Sequence, residues 1–391
     1  MDVCIVGGGI AGLTLAYCLS ERGDQVTIVE KSPSIRTEGY MIDFFGAGYD
    51  VAEKLGMLDD LSRIHYPIDS LSFLKGNGSE KYRVSYQSLR ELLNQKHFNF
   101  MRGDLETVLY EKVREQVTFR FGVSPERIEQ DAEKAHVSLS DGTKLTCDLV
   151  VGADGMRSKV RSKVRSLSFK EEKEPIRYMG YYTAAYIVED PAFLEKIDKN
   201  FYTYSEPNRQ VSVYPIRGNK VATFFLYRYP EQQGHVQKEK ALEQLNEYFG
   251  HMNWIVPDLL EAGKEAKDFY FDEVSQVGLS QWRNDRITFV GDSCQCISLL
   301  AGQGASMAMA GAYTLAKSLD QHPNDLEAAL TDYERSLHPD IDKLQKSARR
   351  FASFFLPSSW WGIFVRDVLT RVSVWPGVRK LVNFSTVRLP K

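Results

Sequence analysis

Residues 2–30 read DVCIVGGGIAGLTLAYCLSERGDQVTIVE, and this stretch decides the fold. Its apolar run over residues 3–6 predicts a buried parallel strand, because apolar residues without alternation suit a strand that is covered on both faces. An apolar helix pattern follows, and then a second strand over residues 25–29 that leads into Glu30. The glycines between the first strand and the helix have the spacing G-x-G-x-x-G and are Gly7, Gly9 and Gly12. This order of elements predicts a nucleotide-binding α/β unit.

Each position in this glycine turn has a physical reason. Glycine permits the tight turn at Gly7, the close approach of a pyrophosphate at Gly9 and a close helix–strand contact at Gly12. The helix that begins near Ile10 would direct free N–H groups and the positive end of its dipole at the phosphates. Glu30 stands about 20 residues further on, where a carboxylate accepts hydrogen bonds from a ribose. The alternative is a glycine-rich loop with a purely structural role.

Composition and charge disfavour several classes of function. The 391 residues carry a formal net charge of −3, which is too small to imply a polyionic partner, so nucleic-acid binding is disfavoured. The five cysteines are scattered and odd in number, which predicts reduced thiols in a cytoplasmic protein. They lack the spacing of a zinc site, so no metal is predicted. The N-terminus lacks the basic residues of a signal peptide, and no apolar run is long enough to span a bilayer.

The residue composition of the sequence changes along the chain. Alternating segments rich in Tyr, Phe, Val and Thr, such as YMGYYTAAYIV and KVATFFLYRY, predict a mainly antiparallel sheet with an exposed or ligand-facing side. We therefore predict an α/β protein with a Rossmann-like nucleotide-binding domain, an inserted antiparallel β-sheet domain for the substrate and a C-terminal helical tail. The predicted boundaries are 1–70, 101–172 and 276–340 for the first domain, 71–100 and 173–275 for the second, and 341–391 for the tail.

Two later segments again place an acid just past a buried strand. In the first, residues 149–152 lead into Ala153-Asp154-Gly155, where the carboxylate can hold a hydroxyl or orient the loop. In the second, Asp292 follows a buried strand, at the carboxyl edge where open α/β sheets bind ligands. Residues 302–304, Gly-Gln-Gly, then precede a long helix whose N–H groups could face an anionic group. The alternatives are an ordinary Asp-Gly turn at the first site and a helix that packs through its alanines at the last.

With these three motifs in this order, the chain resembles the FAD-dependent aromatic monooxygenases of the para-hydroxybenzoate hydroxylase type, which include tetracycline-inactivating monooxygenases. The resemblance covers residues 1–340. It implies that FAD is bound with its ADP half at the first glycine motif, its ribityl chain at Asp292 and the pyrimidine edge of its ring at residues 302–304. The cofactor contacts that it implies are Gly7, Gly9, Ile10, Ala11, Gly12, Glu30, Lys31, Arg36, Asp43, Arg102, Asp154, Gly155, Asp292, Gly302, Gln303, Gly304 and Ala305.

The sequence departs from the family pattern near the third motif. Many members have Gly-Asp-Ala-Ala-His there and a proline before Gly-Gln-Gly, whereas this chain has Gly-Asp-Ser-Cys-Gln295 and Leu299-Leu300. Many also carry an acidic pair in the helix that follows, and Ala310-Gly311 replaces it here. We expect FAD binding to survive these changes because it depends on the glycines and on Asp292. The details of oxygen activation are less directly implied.

The resemblance also implies a reaction. NADPH or NADH would reduce FAD, O2 would add to form a flavin C4a-hydroperoxide, and this species would hydroxylate or epoxidise an electron-rich aromatic or polyketide-like small molecule. No catalytic side chain is predicted, because the cofactor supplies the chemistry. The alternatives are an isoprenoid-type flavin reductase, a flavin halogenase and a non-enzymatic nucleotide-fold carrier. A halogenase is disfavoured because Trp254-Ile-Val-Pro257 has only one tryptophan of the halogenase motif. A carrier would leave Asp154 and Asp292 without a joint purpose.

Aromatic residues in the predicted strands of the inserted domain are candidates for the substrate pocket, although a strand aromatic more often belongs to a core. They are Tyr178, Tyr182, Tyr204, Tyr214 and Phe225. The apolar tail segment 351–375 would cap a domain interface in its simplest interpretation. A dimer contact and a membrane-interface helix are the less favoured alternatives. The chain is expected to be a monomer or a homodimer.

Overall fold

The computed structural model of the chain describes residues 1–36, 39–168, 175–197, 200–234 and 236–373. Its strands belong to four sheets of two to seven strands. In chain order the strands are β1 (Asp2–Val6), β2 (Gln25–Glu30), β3 (Met41–Phe45), β4 (Ser70–Leu74), β5 (Glu80–Ser85), β6 (His97–Met101), β7 (Thr118–Phe121), β8 (Pro125–Gln130), β9 (Ala135–Leu139), β10 (Lys144–Cys147), β11 (Leu149–Gly152), β12 (Ile176–Val188), β13 (Phe201–Glu206), β14 (Arg209–Ile216), β15 (Lys220–Arg228), β16 (Tyr270–Val277), β17 (Arg283–Asn284) and β18 (Ile287–Phe289).

The helices cover the sheets and form the C-terminal region. In chain order they are α1 (Ile10–Glu21), α2 (Ala47–Lys54), α3 (Leu58–Ile64), α4 (Tyr86–Leu92), α5 (Arg102–Val113), α6 (Lys159–Ser168), α7 (Ala192–Lys196), α8 (Lys238–Phe249), α9 (Val256–Glu265), α10 (Gly304–Gln321), α11 (Leu326–Phe355) and α12 (Trp360–Ser373). Short 3-10 turns lie at Gly291–Ser293 and Leu299–Ala301. The predicted α/β class, with several sheets and a C-terminal helical region, is confirmed.

The first motif lies in a six-stranded sheet of order β17-β18-β11-β1-β2-β7. Strands β18, β11, β1, β2 and β7 run parallel, and α1 packs against α5 and α10. In the register of the three central strands, Val6 pairs with Gly152 and Gly152 pairs with Phe289. Parallel strands in register end at the same edge of their sheet, so the segments that follow β1, β11 and β18 emerge side by side.

The second large sheet has seven strands in the order β16-β12-β15-β14-β13-β4-β5. Its pairs are antiparallel except for β13 with β4. One face is covered by α8 and α9, whose Leu245 and Leu259 share a core with strand aromatics such as Phe225. Residues of the opposite face, among them Tyr214 and Ala222, join the core of the nucleotide-binding unit.

The predicted domain division stays a prediction. The strands at residues 70–85 join the seven-stranded sheet, whereas β6 pairs with β3. The predicted boundary at 172/173 falls outside the described residues, and so does the tail after Ser373. Helix α11 continues through the predicted boundary at 340/341. Among the described residues, no helix is both long enough and apolar enough to cross a membrane.

Candidate functional site

The three sequence motifs meet at the carboxyl edge of the six-stranded sheet, and they meet through positions that lack a side chain. A Cβ atom added at Gly7 would lie 2.4 Å from the carbonyl oxygen of Ala153, which belongs to the second motif. One added at Gly291, beside Asp292, would lie 2.6 Å from the Cβ of Ala11. Both glycines also have positive φ angles, of 112° and 67°. The close contact of the three segments therefore requires glycine at these places.

The glycine turn opens directly into α1. A Cβ added at Gly12 would lie 2.0 Å from the carbonyl oxygen of Gly7, so the turn and the first helical turn are in direct contact. Gly9 is the N-cap residue without a capping side chain, and the first turn of α1 contains no acid. The positive end of the helix dipole at Ile10 and Ala11 is therefore not neutralised from within α1.

Glu30 lies beside the same turn, at the end of β2. Its two carboxylate oxygens accept hydrogen bonds from the N–H groups of Gly8 (2.7 Å) and Ser32 (2.9 Å). This arrangement fixes the carboxylate next to the glycines, as the ribose hypothesis requires. Lys31 and Arg36 are exposed, and Arg36 Nε lies 3.4 Å from Ser32 Oγ.

Arg102, the first residue of α5, faces the start of α1 together with Glu106. The Nη2 atom of Arg102 lies 2.7 Å from Glu106 Oε1, and the glutamate side chain is buried. Burial raises the pKa of Glu106, and the charges of Arg102 and Arg36 oppose this rise. The N–H of Ile10, at the start of α1, also opposes this rise in pKa. Glu106 was not predicted from the sequence, although its position one helical turn after Arg102 indicates a possible ion pair.

Asp292 faces Arg102 from the third motif. Its residue is exposed to solvent, yet the surrounding protein raises the pKa of its carboxyl group, an effect that the charge of Arg102 opposes. We call the region between Asp292 and Arg102 the cleft, because the carboxylate is open to solvent and lies within the electrostatic reach of the guanidinium. The cleft thus places one cation and one acid on opposing elements, next to the glycine turn.

The second motif has a clear local role in the structure. Asp154 Oδ2 accepts hydrogen bonds from the N–H groups of Lys159 (2.6 Å) and Val160 (3.1 Å), and so caps α6. Burial raises the pKa of Asp154. Gly155 has a φ of 80°, which favours glycine at this turn. Cofactor contacts of Asp154 and Gly155 stay predictions.

Residues 302–304 form the entry to α10. Gly302 has a φ of 63°, Gln303 is the N-cap residue, and Gly304 and Ala305 start the helix, whose first turn contains no acid. Helix α10 contacts the 3-10 turn that carries Asp292, so this helix start belongs to the same region. A Cβ added at Gly304 would contact no described atom within 4 Å, which leaves room for the close approach of a flat group.

Two of the positions that depart from the family pattern, Gln295 and Gly311, lie against each other. Gln295 stands where many members have histidine, and a Cβ added at Gly311 would lie 2.4 Å from its Oε1 atom. The missing side chain at Gly311 therefore makes room for Gln295. Gln295 Nε2 donates to Tyr333 Oη (2.6 Å), and that hydroxyl donates to the carbonyl of Phe289 (2.9 Å). Gln295 and Tyr333 therefore support the segment that carries the third motif from behind.

Asp43 lies in a separate polar cluster. Its Oδ1 atom accepts a hydrogen bond from Tyr86 Oη (3.1 Å) and lies 2.9 Å from Nε2 of the buried His97. Burial and the nearby carboxylate raise the pKa of Tyr86 well above its usual value. A contact between Asp43 and FAD stays a prediction.

The predicted substrate residues lie on both faces of the seven-stranded sheet. Tyr178, Tyr182, Tyr204 and Phe225 all belong to, or pack against, the core beneath α8 and α9. This position favours a packing role for them, because strand residues alternate between faces and these four point to the covered side. Tyr214 points to the other side, where its hydroxyl accepts a hydrogen bond from Met41 N–H (2.8 Å). The substrate role of all five stays a prediction.

An aromatic group that was not predicted from the sequence lies on the face opposite to α8 and α9. The ring of Tyr40 lies 5.6 Å from that of Tyr270 and 6.1 Å from that of Phe224, measured between centroids. Burial raises the pKa of Tyr40 to about 12, and the charge of Arg102 opposes this effect. The N–H of Arg102 donates to the carbonyl of Tyr40 (3.0 Å). This group therefore connects the sheet to the cleft. The indication in the sequence was that Phe224 and Phe225, as neighbours in a strand, point to opposite faces of the sheet.

Comparison with known proteins agrees with this geometry. The family described as "FAD binding domain" matches residues 1–346. The chain belongs to this family. Its relatives include the uncharacterized protein Rv1260 of Mycobacterium tuberculosis, 30% identical over 346 residues that cover 88% of this chain and 91% of the relative. Another is the FAD-dependent monooxygenase asL4 of Sarocladium schorii, 27% identical over 403 residues that cover 95% and 92%.

Solved structures of this family share the fold over nearly the whole length. Tetracycline destructase Tet(55) superposes with a TM-score of 0.84 and 26% identity, covering 100% of this chain and 98% of that one. HpxO of Klebsiella pneumoniae, complexed with FAD and uric acid, has a TM-score of 0.79 and 22% identity over 97% and 96%, which is a likeness of fold. This member of the FAD-binding family is a flavin-dependent monooxygenase, an oxidoreductase, and FAD is its cofactor. The glycine contacts and the Arg102–Asp292 cleft fit that cofactor.

Proposed function

We propose that the protein is a single-component, NAD(P)H-using monooxygenase that hydroxylates or epoxidises an electron-rich small molecule of aromatic or polyketide-like structure. The observation that carries this proposal is the aromatic group Tyr40, Phe224 and Tyr270, which joins the seven-stranded sheet to the cleft of Arg102 and Asp292. Aromatic side chains offer flat apolar surfaces that suit a ring substrate. The similarity to a tetracycline destructase supports the polyketide-like class.

The described residues divide the work of holding FAD. The glycine turn and Glu30 would hold the ADP half, and the start of α1 would face the pyrophosphate. Arg102 and Asp292 would bind the middle of the cofactor, and residues 302–304 would lie at the edge of the flavin ring. Bound FAD would supply the electron transfer and the oxygen activation, for which no protein side chain is suited.

The protein's own contribution is to position the substrate and to exclude water. Tyr214 holds the backbone at Met41, which follows Tyr40 directly, so the sheet orients the aromatic group through this hydrogen bond. Arg157 also joins the two units, because its guanidinium pairs with both oxygens of Asp272 on β16 (2.6 and 3.0 Å). A cleft held from both sides keeps its geometry when a substrate enters.

The proposal is tested by following oxygen from O2 into a product. The purified protein should carry a visible flavin spectrum, NADH or NADPH should reduce it, and isotope-labelled O2 should leave one labelled atom in an aromatic or polyketide-like substrate. A colourless protein would contradict the cofactor assignment. Flavin that reduces a double bond without incorporation of labelled oxygen would indicate the reductase alternative, and halide incorporation would indicate the halogenase.

The proposed position of FAD is tested separately at Gly12. The substitution Gly12→Ala places a methyl group 2.0 Å from the carbonyl of Gly7, so the turn must shift. We expect loss of most bound flavin and a decrease of about 1–3 kcal/mol in the free energy of unfolding. The matched control is Gly278→Ala, because no described atom lies within 4 Å of the added methyl group there. Equal flavin content in the two variants would place FAD elsewhere.

A further inference from the structure

Helix α12 is oriented with its charged pair towards the protein and its aromatic residues towards solvent. Arg366 and Asp367 are buried, whereas Trp360, Trp361 and Phe364 are 65%, 71% and 53% exposed. An ordinary surface helix has the opposite arrangement, with its apolar stripe against the core. The outer face of α12 is therefore unusual for a helix that has only water outside it.

The buried side fixes this orientation. Arg366 Nη2 donates to Asp367 Oδ1 (2.9 Å), and Asp367 Oδ2 lies 2.5 Å from Lys81 Nζ on β5. Tyr82 Oη donates to Asp367 Oδ1 (3.0 Å), and Arg366 Nη1 donates to Ser205 Oγ (3.2 Å). Rotation of the helix to hide its aromatic side chains would break this network and leave charges unpaired. The fold thus holds the aromatic face outwards.

The exposed apolar surface is concentrated in this one place. Among the described residues, eight large hydrophobic side chains are exposed, and six of them lie between positions 351 and 369. We call these six the aromatic face, and they are Phe351, Trp360, Trp361, Phe364, Val368 and Leu369. On α12 they recur at intervals of three and four residues, which places them along one side of the helix. Clustered exposed apolar residues of this kind mark an interaction surface.

The charge of the sequence at this end of the chain, which the structure describes up to residue 373, indicates what the aromatic face contacts. After Asp367 the sequence has five basic and no acidic residues, although the whole chain has a net charge of −3. The basic residues are Arg371, Arg379, Lys380, Arg388 and Lys391. A cavity of about 180 Å³ at the inner edge of α12 is lined by Trp360 and Lys75, and also by Lys81 with its partner Asp367. Tryptophan and phenylalanine next to basic residues are typical of segments that lie in the interface of anionic membranes.

We propose that the aromatic face docks on the surface of an anionic lipid bilayer. The aromatic side chains enter the headgroup region and the basic residues remain at the phosphates. A second copy of the chain fits less well, because the sequence after Asp367 has five basic residues and no acidic residue that could pair with them across a two-fold contact. With no membrane-spanning helix among the described residues, the contact through α12 is peripheral. This proposal does not depend on the substrate or on the reaction.

Vesicle flotation of the full-length, FAD-loaded protein tests the proposal. We expect the protein to float with phosphatidylglycerol vesicles and to stay in solution with pure phosphatidylcholine vesicles, and salt should weaken the binding. The double variant Trp361→Gln/Phe364→Gln should bind at least about tenfold more weakly. Its thermal unfolding should be unchanged, because both side chains are exposed.

A matched charge pair separates specific docking from general attraction. Arg371→Gln should weaken vesicle binding, whereas Arg335→Gln, an exposed arginine on α11 about 24 Å along the helix from Phe351, should not. Wild-type protein that does not float, or that floats no better than the double variant, would overturn the proposal. A dimer in light scattering that the double variant abolishes, without any vesicle binding, would overturn it in favour of a second copy.

Discussion

The two faces of the seven-stranded sheet contain the same kinds of residues and do different work. On one face Tyr186 and Phe225 are closed in by α8 and α9. On the other, Tyr214, Phe224 and Tyr270 turn towards the FAD-binding unit. Phe224 and Phe225 are neighbours in the sequence, yet Phe224 contacts Tyr40 and a small core that includes Leu356, whereas Phe225 lies in the core beneath α8 and α9. The role of an aromatic residue in a strand therefore depends on which element covers its side chain.

The hydrogen bonds of the tyrosines show the same difference. On the covered face Tyr186 Oη donates to the carbonyl of Leu259 in α9 (2.8 Å), a contact that only holds the helix on the sheet. On the other face Tyr214 Oη accepts from Met41 N–H, next to Tyr40 in the cleft. One hydroxyl stabilises the packing of a domain, and the other fixes the backbone beside the cofactor site.

The strongest test of this contrast is the pair Phe225→Ala and Phe224→Ala. Phe225 is fully buried, so its truncation should lower the free energy of unfolding by about 3–5 kcal/mol. Phe224 is partly exposed, and its truncation should cost clearly less stability but raise the KM for the substrate. Urea unfolding and steady-state kinetics measure the two effects. Equal losses of stability, with unchanged kinetics in both variants, would break the contrast between the faces.

A smaller effect is expected from removal of single hydroxyl groups. Tyr214→Phe leaves the N–H of Met41 without its acceptor and should lower the free energy of unfolding by about 1–3 kcal/mol. It should also alter the flavin spectrum, because Met41 adjoins Tyr40. The control Tyr186→Phe should cost about 0.5–1.5 kcal/mol and leave the spectrum unchanged. The idea fails if Tyr186→Phe perturbs the flavin as much as Tyr214→Phe does.

The free energy of unfolding of the apoprotein should depend on pH through the acidic residues of the cleft. Desolvation by the surrounding protein raises the pKa of the solvent-accessible Asp292 in the folded state, so between its ordinary and its raised pKa the folded protein binds more protons than the unfolded chain. The free energy of unfolding therefore falls as pH rises through this window, and the cost persists above it. Glu106 and Asp154 shift in the same direction.

Asp292→Asn removes one of these costs. At neutral pH we expect the apoprotein variant to be slightly more stable, because solvent screens much of the effect at this exposed carboxylate, and to bind FAD more weakly. Denaturant unfolding at a series of pH values, with a flavin titration, measures both. A variant that keeps the wild-type pH slope would show that Asp292 is not the group responsible.

Much of the geometry of the candidate site was predictable from local sequence, for a simple reason. The contacts of Gly7 and Gly12 depend on the absence of a side chain, and Glu30 is fixed by the length of one β-α-β unit, so both are visible as spacing. Glu106 and the contact between Gln295 and Gly311 were not predicted, because they join positions whose proximity depends on how helices pack. The predicted substrate residues lie in strands. Alternation along a strand separates two faces, but it does not show which face another element covers.

The α/β class, the FAD family and the order of the three motifs follow from the amino-acid sequence alone, because glycine spacing and buried strands leave local patterns. The sequence also shows that the tail segment 351–375 is apolar, but not which way its side chains face. Which aromatic residues contact Tyr40, and that α12 turns its aromatic face outwards, depends on the tertiary structure. The physical reason is the same in both cases, because the environment of a side chain depends on the partner that covers it. Such partners can be far apart in the chain, as Lys81 and Asp367 are, with a separation of 286 positions.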